Sequence, residues 1–191
     1  VELRSELIKK GYRFKTKTDT EVLVHLYSEY GCEMLPYLNG MFAFAIWDEK
    51  KQSLFIARDR MGIKPLYYAQ IDKRFLFASE LKSILTHPGL DKSLDMNGIA
   101  DYLRLVYVPQ SGTPYQVVRK LLPGHYIKIE NDQLSIKQWW NLKNEHNGDI
   151  NPDTSNDCEK ETVSCFDRSV ELRMRSDVAV ASFLSGGLDS S

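Results

Sequence analysis

The apolar positions of this chain change period several times, and each change marks an element. Residues 1–10 carry apolar positions at helical spacing and read as an amphipathic helix that Gly11 closes. Residues 12–17 alternate and predict a short strand. Thr18, Asp19, Thr20 and Glu21 then open a helical run through Val22, Leu23, Leu26, Tyr27 and Tyr30, with Asp19 or Thr18 as its N-cap and Gly31 as its stop. Residues 41–47 are nearly all apolar, as expected of a strand covered on both faces, and 53–57 return as its hairpin partner. Residues 65–69 and 74–78 form a second strand pair around a charged turn. Ser79 is placed to cap a helix over 80–85, and Asp95 stands at the start of another over 96–105. A late hairpin, 125–130 with 134–139, turns at Asn131 and Asp132. The aromatic set Phe42, Phe44, Trp47, Phe55, Phe75 and Phe77 sits at strand spacing and is predicted as core.

Between 142 and 157 the pattern stops. That stretch is polar, without period, and reads as a linker. Beyond it, 158–175 is an amphipathic helix with Val163, Phe166 and Val170 on one face, and 178–183 reads as a buried strand. The organisation is therefore a first domain over 1–142, a linker over 143–157 and the beginning of a second domain over 158–191.

Composition narrows the function classes. The 191 residues are 42% apolar and 27% charged with a net charge of −1, an ordinary globular balance with no electrostatic case for nucleic acid or an anionic membrane. No apolar run is long enough to span a bilayer, and no signal peptide is evident. Three cysteines, Cys32, Cys158 and Cys165, lack CxxC spacing and point to a reducing, cytoplasmic setting. The four histidines are scattered and read as ordinary surface or core residues. The missing initiator Met and the start within an element suggest an excised segment.

The strand over 178–183 runs into Leu184, Ser185, Gly186, Gly187, Leu188, Asp189 and Ser190. A strand that breaks into glycines before a helix suits an anion. The backbone can approach closely, and successive N–H groups point at the charge. No Gly-Lys-Ser/Thr follows, so the loop is not a Walker A motif. A small-residue turn with no ligand is the simpler alternative. Arg58, Asp59, Arg60 and Lys64 form a second charged cluster, read as an ion-paired turn that fixes the chain between two strands.

The string Ser-Gly-Gly-Leu-Asp-Ser at 185–190 resembles the pyrophosphate-binding loop of N-type ATP pyrophosphatases. The stretches 18–22, 38–48, 57–68 and 77–82, in that order, resemble the glutaminase half of the glutamine-hydrolysing asparagine synthetases of the B type. The resemblance covers essentially the whole chain. It implies an α+β N-terminal-nucleophile glutaminase, with stacked antiparallel sheets between helices, followed by the start of an α/β doubly wound adenylating domain. It implies a carbon–nitrogen ligase that hydrolyses glutamine, carries ammonia inside the protein, and amidates aspartate through β-aspartyl-AMP. ATP with Mg2+, glutamine and aspartate are the implied small molecules, and family members are often dimers.

Carried over residue by residue, Asp19 matches the aspartate that binds the glutamine α-ammonium, with Thr18 beside it. Leu184, Ser185, Gly186, Gly187, Asp189 and Ser190 match the ATP loop, with Leu184 at the nucleoside and Asp189 as a magnesium ligand or a brace for the loop. The family's nucleophile is an N-terminal cysteine whose own α-amine serves as base. None of the three cysteines here has a free α-amine, so no catalytic residue is assigned and the segment alone is expected to be inactive. Alternatives remain: a relative that amidates another carboxylate such as a sugar acid, or a non-catalytic module that kept the fold. A sugar- or phosphoribosyl-aminating amidotransferase shares the first half, but the loop at 185–190 argues against it.

Overall fold

A computed structural model describes residues 2–145, 155–176 and 178–188. The chain divides into two compact units, Val1–His146 and Asn147–Ser191. The first unit runs α1 (Glu2–Lys9), α2 (Asp19–Tyr30), a 3-10 segment (Gly31–Tyr37), β1 (Ala43–Asp48), β2 (Ser53–Arg58), β3 (Tyr67–Ile71), β4 (Arg74–Ala78), α3 (Leu81–Leu85), α4 (Met96–Leu105), β5 (Val118–Lys120), β6 (His125–Glu130) and β7 (Gln133–Gln138). The strands form a four-stranded sheet in the order β1-β2-β6-β7 and a three-stranded sheet in the order β4-β3-β5. Every pairing is antiparallel, with Phe55 opposite Ile46 on one side and Lys128 on the other.

The period of two along β2 builds the layers. Phe55 and Ala57 face Leu7, Leu26, Met34 and Leu35, so α1, α2 and the 3-10 segment cover the outer face of the four-stranded sheet. Ile56 points the other way and packs with Ile127, Leu66 and Leu121, against Tyr68 and Phe75 of the three-stranded sheet. The far face of that sheet presents Ala69 and Val118 to Ile84 and Leu90. Helices, sheet, sheet and helix thus stack in four layers. Phe55, Ile56, Ala57 and Ile127 are fully buried, and a buried Phe or Ile contributes about 1.5–3 kcal/mol each.

Several sequence expectations change here. Residues 12–17 are not a strand. Three of their donors are already used, because Tyr12 N–H donates to Leu7 O and the Lys15 and Thr16 N–H groups donate to Glu21. β1 is an edge strand and is not covered on both faces. Phe44 and Ile46 meet the helical layer, while Trp47 is 55% exposed. Phe77 is also exposed, so the aromatic set is only partly core. Helix α3 begins at Leu81 with Glu80, not Ser79, at the cap position and no side-chain cap bond. The short β5, with Arg119 and Lys120 in it, was not expected from the pattern.

Helix α4 begins as expected. Asp95 Oδ1 accepts from the N–H groups of Asn97 and Gly98. Gly98 is buried against the 113–114 backbone, and a Cβ there would stand 2.4 Å from Thr113 O. Thr113 cannot easily give way: its hydroxyl lies 2.9 Å from Val118 O and accepts from Tyr115 N–H. Alanine would gain about 1 kcal/mol in helix propensity. Overpacking costs about 1–3 kcal/mol and should win. Gly98→Ala is therefore expected to lower the urea midpoint, and a raised midpoint would show that the 113–114 backbone yields.

Among the described residues of the second unit there is one long helix, α5 (Ser155–Arg173), and no strand. The strand expected over 178–183 is absent from the described part of that stretch. Val178 is 76% exposed and Phe183 fully exposed. A strand is held by its neighbours' N–H and C=O groups, and no described strand offers them. Val163, Phe166 and Val170 are exposed along α5. No described helix is long and apolar enough to cross a membrane. Much of the stretch assigned to the linker lies outside the described residues.

Candidate functional site

Thr18 and Asp19 sit where the chain turns into α2. Thr18 is the N-cap residue, with φ −69° and ψ 151°, but its side chain caps nothing. Its hydroxyl lies 2.9 Å from that of Thr16, and its N–H donates to Thr16 Oγ1 at 3.3 Å. Asp19 is the first helical residue, exposed, with Thr20 Oγ1 at 3.5 Å from Oδ1. A carboxylate in the first turn is favoured by the helix dipole. Its outer lone pairs remain open to a cation, the chemistry an α-ammonium requires.

Glu21 holds this turn in place. Its spacing from Thr18 is that of a capping box, in which the glutamate reaches back to the N-cap N–H. Here it reaches further. Oε1 accepts from Lys15 N–H at 2.7 Å, and Oε2 accepts from Thr16 N–H at 2.7 Å and Thr16 Oγ1 at 2.6 Å. These donors, Lys15 N–H foremost, hold its carboxyl down at about 2. Arg4 closes the cluster from α1. It donates to Thr16 O, lies 3.7 Å from Glu21 Oε2, and stacks over Phe14. The sequence signal for Glu21 was the Thr-x-x-Glu spacing; Arg4 had none.

The charged cluster at 58–64 is a structural joint. Asp59 is buried and accepts from the N–H groups of Phe42, Ile63 and Lys64 at 3.2, 2.9 and 3.0 Å. Arg58 donates to the carbonyls of Lys64, Gly62 and Leu121, and Arg60 to those of Leu38 and Pro36. Among the described residues no salt bridge joins these side chains, so backbone groups, not ion pairs, fix the turn. Charged side chains saturate the carbonyls and amides that the two strands leave free at this corner.

Cys32 is half-buried just after α2, and burial pushes its thiol up. That is the environment of an inert thiol rather than a nucleophile. Among the described residues no group of three or more His, Cys, Asp or Glu side chains could hold a metal.

In the second unit, Leu184, Ser185, Gly186 and Gly187 are exposed and follow α5 without an intervening strand. Gly186 has φ +74°, and a Cβ there would meet no atom within 4 Å. A left-handed glycine in open space suits backbone N–H groups aimed at an anion. Asp189 and Ser190 lie outside the described residues.

Residues 1–140 match the family model described as a glutamine amidotransferase domain, and residues 162–191 match that described as asparagine synthase. The chain is 40% identical, over all of its length, to asparagine synthetase [glutamine-hydrolyzing] 3 of Bacillus subtilis (strain 168), of which it covers 30%. It is 36% identical over 94% of its length to amidase chyE of Penicillium rubens, of which it covers 26%. Among solved structures it is similar to glutamine phosphoribosylpyrophosphate amidotransferase from B. subtilis, at 23% identity and a TM-score of 0.49, covering 73% of this chain and 26% of that one. The chain thus spans about a third or less of the curated relatives it matches.

Proposed function

The chain belongs to the glutamine amidotransferase domain family, and on that premise we propose that the polypeptide carrying it is a glutamine-hydrolysing asparagine synthetase. The observation that carries the reading is the order of the two matches. An amidotransferase domain over 1–140 is followed directly by an asparagine synthase segment over 162–191. A glutaminase joined to such a segment has one evident use for its ammonia, the amidation of an activated carboxylate. The division into 1–142, a linker over 143–157, and 158–191 follows from the same reading.

In this scheme Asp19 takes the α-ammonium of glutamine, and Thr18 lines the same turn. The backbone N–H groups and hydroxyls at 185–187 and 190 meet the ATP phosphates, with Leu184 beside the nucleoside. The left-handed Gly186 and the room around it fit a phosphate chain. Asp189 would hold Mg2+ or brace the loop, and the ion when bound would offset the phosphate charge. Aspartate attacks the α-phosphorus of ATP, pyrophosphate leaves, and ammonia displaces AMP from β-aspartyl-AMP. The reaction belongs in the cytoplasm, where ATP and glutamine are supplied, and a homodimer is the assembly to test first. A second reading keeps the same chemistry with another carboxylate, such as a sugar acid, as the acceptor.

The test is pyrophosphate release from ATP and glutamine by the full-length polypeptide, with and without aspartate. Aspartate-dependent release with an equal yield of asparagine is expected. Intact glutamine hydrolysis with no aspartate dependence of pyrophosphate release would assign a different acceptor.

A further inference from the structure

We propose that Glu21 is a positioning residue for the glutamine site, fixing the 15–18 turn so that Asp19 is presented to the substrate ammonium. The inference rests on the reading of Asp19 given above.

The geometry separates this role from general support of the fold. Apart from the long Arg4–Glu21 ion pair at 3.7 Å, the packing of α1 and α2 does not pass through Glu21. Leu7 and Leu26 are buried together in the helical layer. Lys10 and Tyr12 donate to the two oxygens of Glu29 at 2.7 Å each, pinning the far ends of the helices. The close partners of Glu21 are instead the Lys15 and Thr16 groups of the turn, four and three residues before Asp19. Thr16 passes the constraint on, because its hydroxyl accepts from Thr18 N–H. A bond network therefore runs from Glu21 through Thr16 to Thr18, the residue before Asp19. The charged and titratable groups facing Glu21 are Arg4 at 3.7 Å and His25, whose Nε2 lies 3.8 Å away. His25 is wedged between the rings of Tyr12 and Phe14 and cannot swing out to replace the turn as a partner.

Without the carboxylate, Lys15 and Thr16 lose their acceptor and the turn opens to solvent. Asp19 keeps its place in α2 but loses a fixed approach on its outer side. The cost should then fall on glutamine affinity, since orientation of a bound group sets how much of its interaction energy is realised.

The experiment compares Glu21→Ala, Glu21→Gln and Asp19→Asn in the full-length polypeptide, by glutaminase kinetics and by amide exchange at Lys15 and Thr16. Glu21→Ala is expected to speed exchange at both amides and to raise KM for glutamine about tenfold, with the loss in kcat/KM falling mostly on KM. Glu21→Gln keeps a carbonyl acceptor and should recover most of that loss, leaving KM about threefold raised. Partial unfolding would instead lower kcat in proportion to the inactive fraction and leave KM where it was. Faster exchange with KM unmoved would overturn the proposal, as would slow exchange retained in Glu21→Ala. If Glu21→Ala does not fold, Glu21→Gln decides by the same readouts, and an unraised KM again overturns it. If Asp19→Asn leaves KM unchanged, the reading of Asp19 fails. If Asp19→Asn raises KM and neither Glu21 variant does, only the role of Glu21 fails.

Discussion

Replacing Asp59 by alanine should destabilise the first unit by about 3–5 kcal/mol, the range for leaving buried polar groups without a charged partner. The side chain is 1% exposed and accepts from three backbone N–H groups. The backbone of Asp59, which alanine keeps, is bonded at the same corner: its N–H donates to Phe42 O and its carbonyl accepts from Gly62 and Gly124 N–H. The residue thus ties the start of β1, the 60–64 loop and the loop before β6 to one point. Asparagine keeps a single carbonyl oxygen and is expected to lose roughly half as much. Urea unfolding followed by tryptophan fluorescence measures both. An Asp59→Ala loss under about 1 kcal/mol would mean that the corner repacks around another acceptor.

The second large effect concerns glutamine. Asp19→Asn should raise KM for glutamine by about 10–100-fold, because a hydrogen bond to a charged group is worth about 1.5–3 kcal/mol. The same change costs little stability, since Asp19 is exposed and its dipole interaction is worth about 0.3–1 kcal/mol. A substrate analogue without the α-amine separates contact from collapse. Wild type and variant should use that analogue with equal, low kcat/KM. A variant that loses as much on the analogue as on glutamine would show that Asp19 shapes the site without touching the ammonium.

Much of the fold could be read from the chain because its signals are local. The hairpins β1–β2, β3–β4 and β6–β7 and the Asp95 cap each follow from residues close in sequence. The failures share a different cause. Residues 12–17 alternate like a strand, yet Glu21 takes the amides a ladder would need. Residues 41–47 read as doubly covered, but an apolar run cannot say that its strand lies at an edge. Residues 178–183 carry strand-like composition, but a strand exists only beside another. At the candidate site, Asp19 and Thr18 rest on a resemblance in pattern, and the structure puts them at the start of α2. Arg4 was not legible, because nothing in its own neighbourhood marks a partner across a turn in space. The cluster at 58–64 was rightly read as structural but for the wrong bonds. Charged residues suggest pairing with one another, whereas the backbone ends of two sheets supplied the partners.

The order of strands in the larger sheet also sets a schedule for synthesis. β2 lies between β1 and β6. Its first partner is its neighbour in the chain, but its second is made only after β3, β4, α3, α4 and β5 have left the ribosome. Until then the growing polypeptide displays β2, the most buried strand of the finished unit, with one edge unpaired and Ile56 without Ile127 to cover it. Such distant pairing is slow, and an open apolar edge is the surface on which nascent chains stick to one another. Holdase capture of translation intermediates should therefore persist until the β6–β7 hairpin emerges and drop when β6 docks.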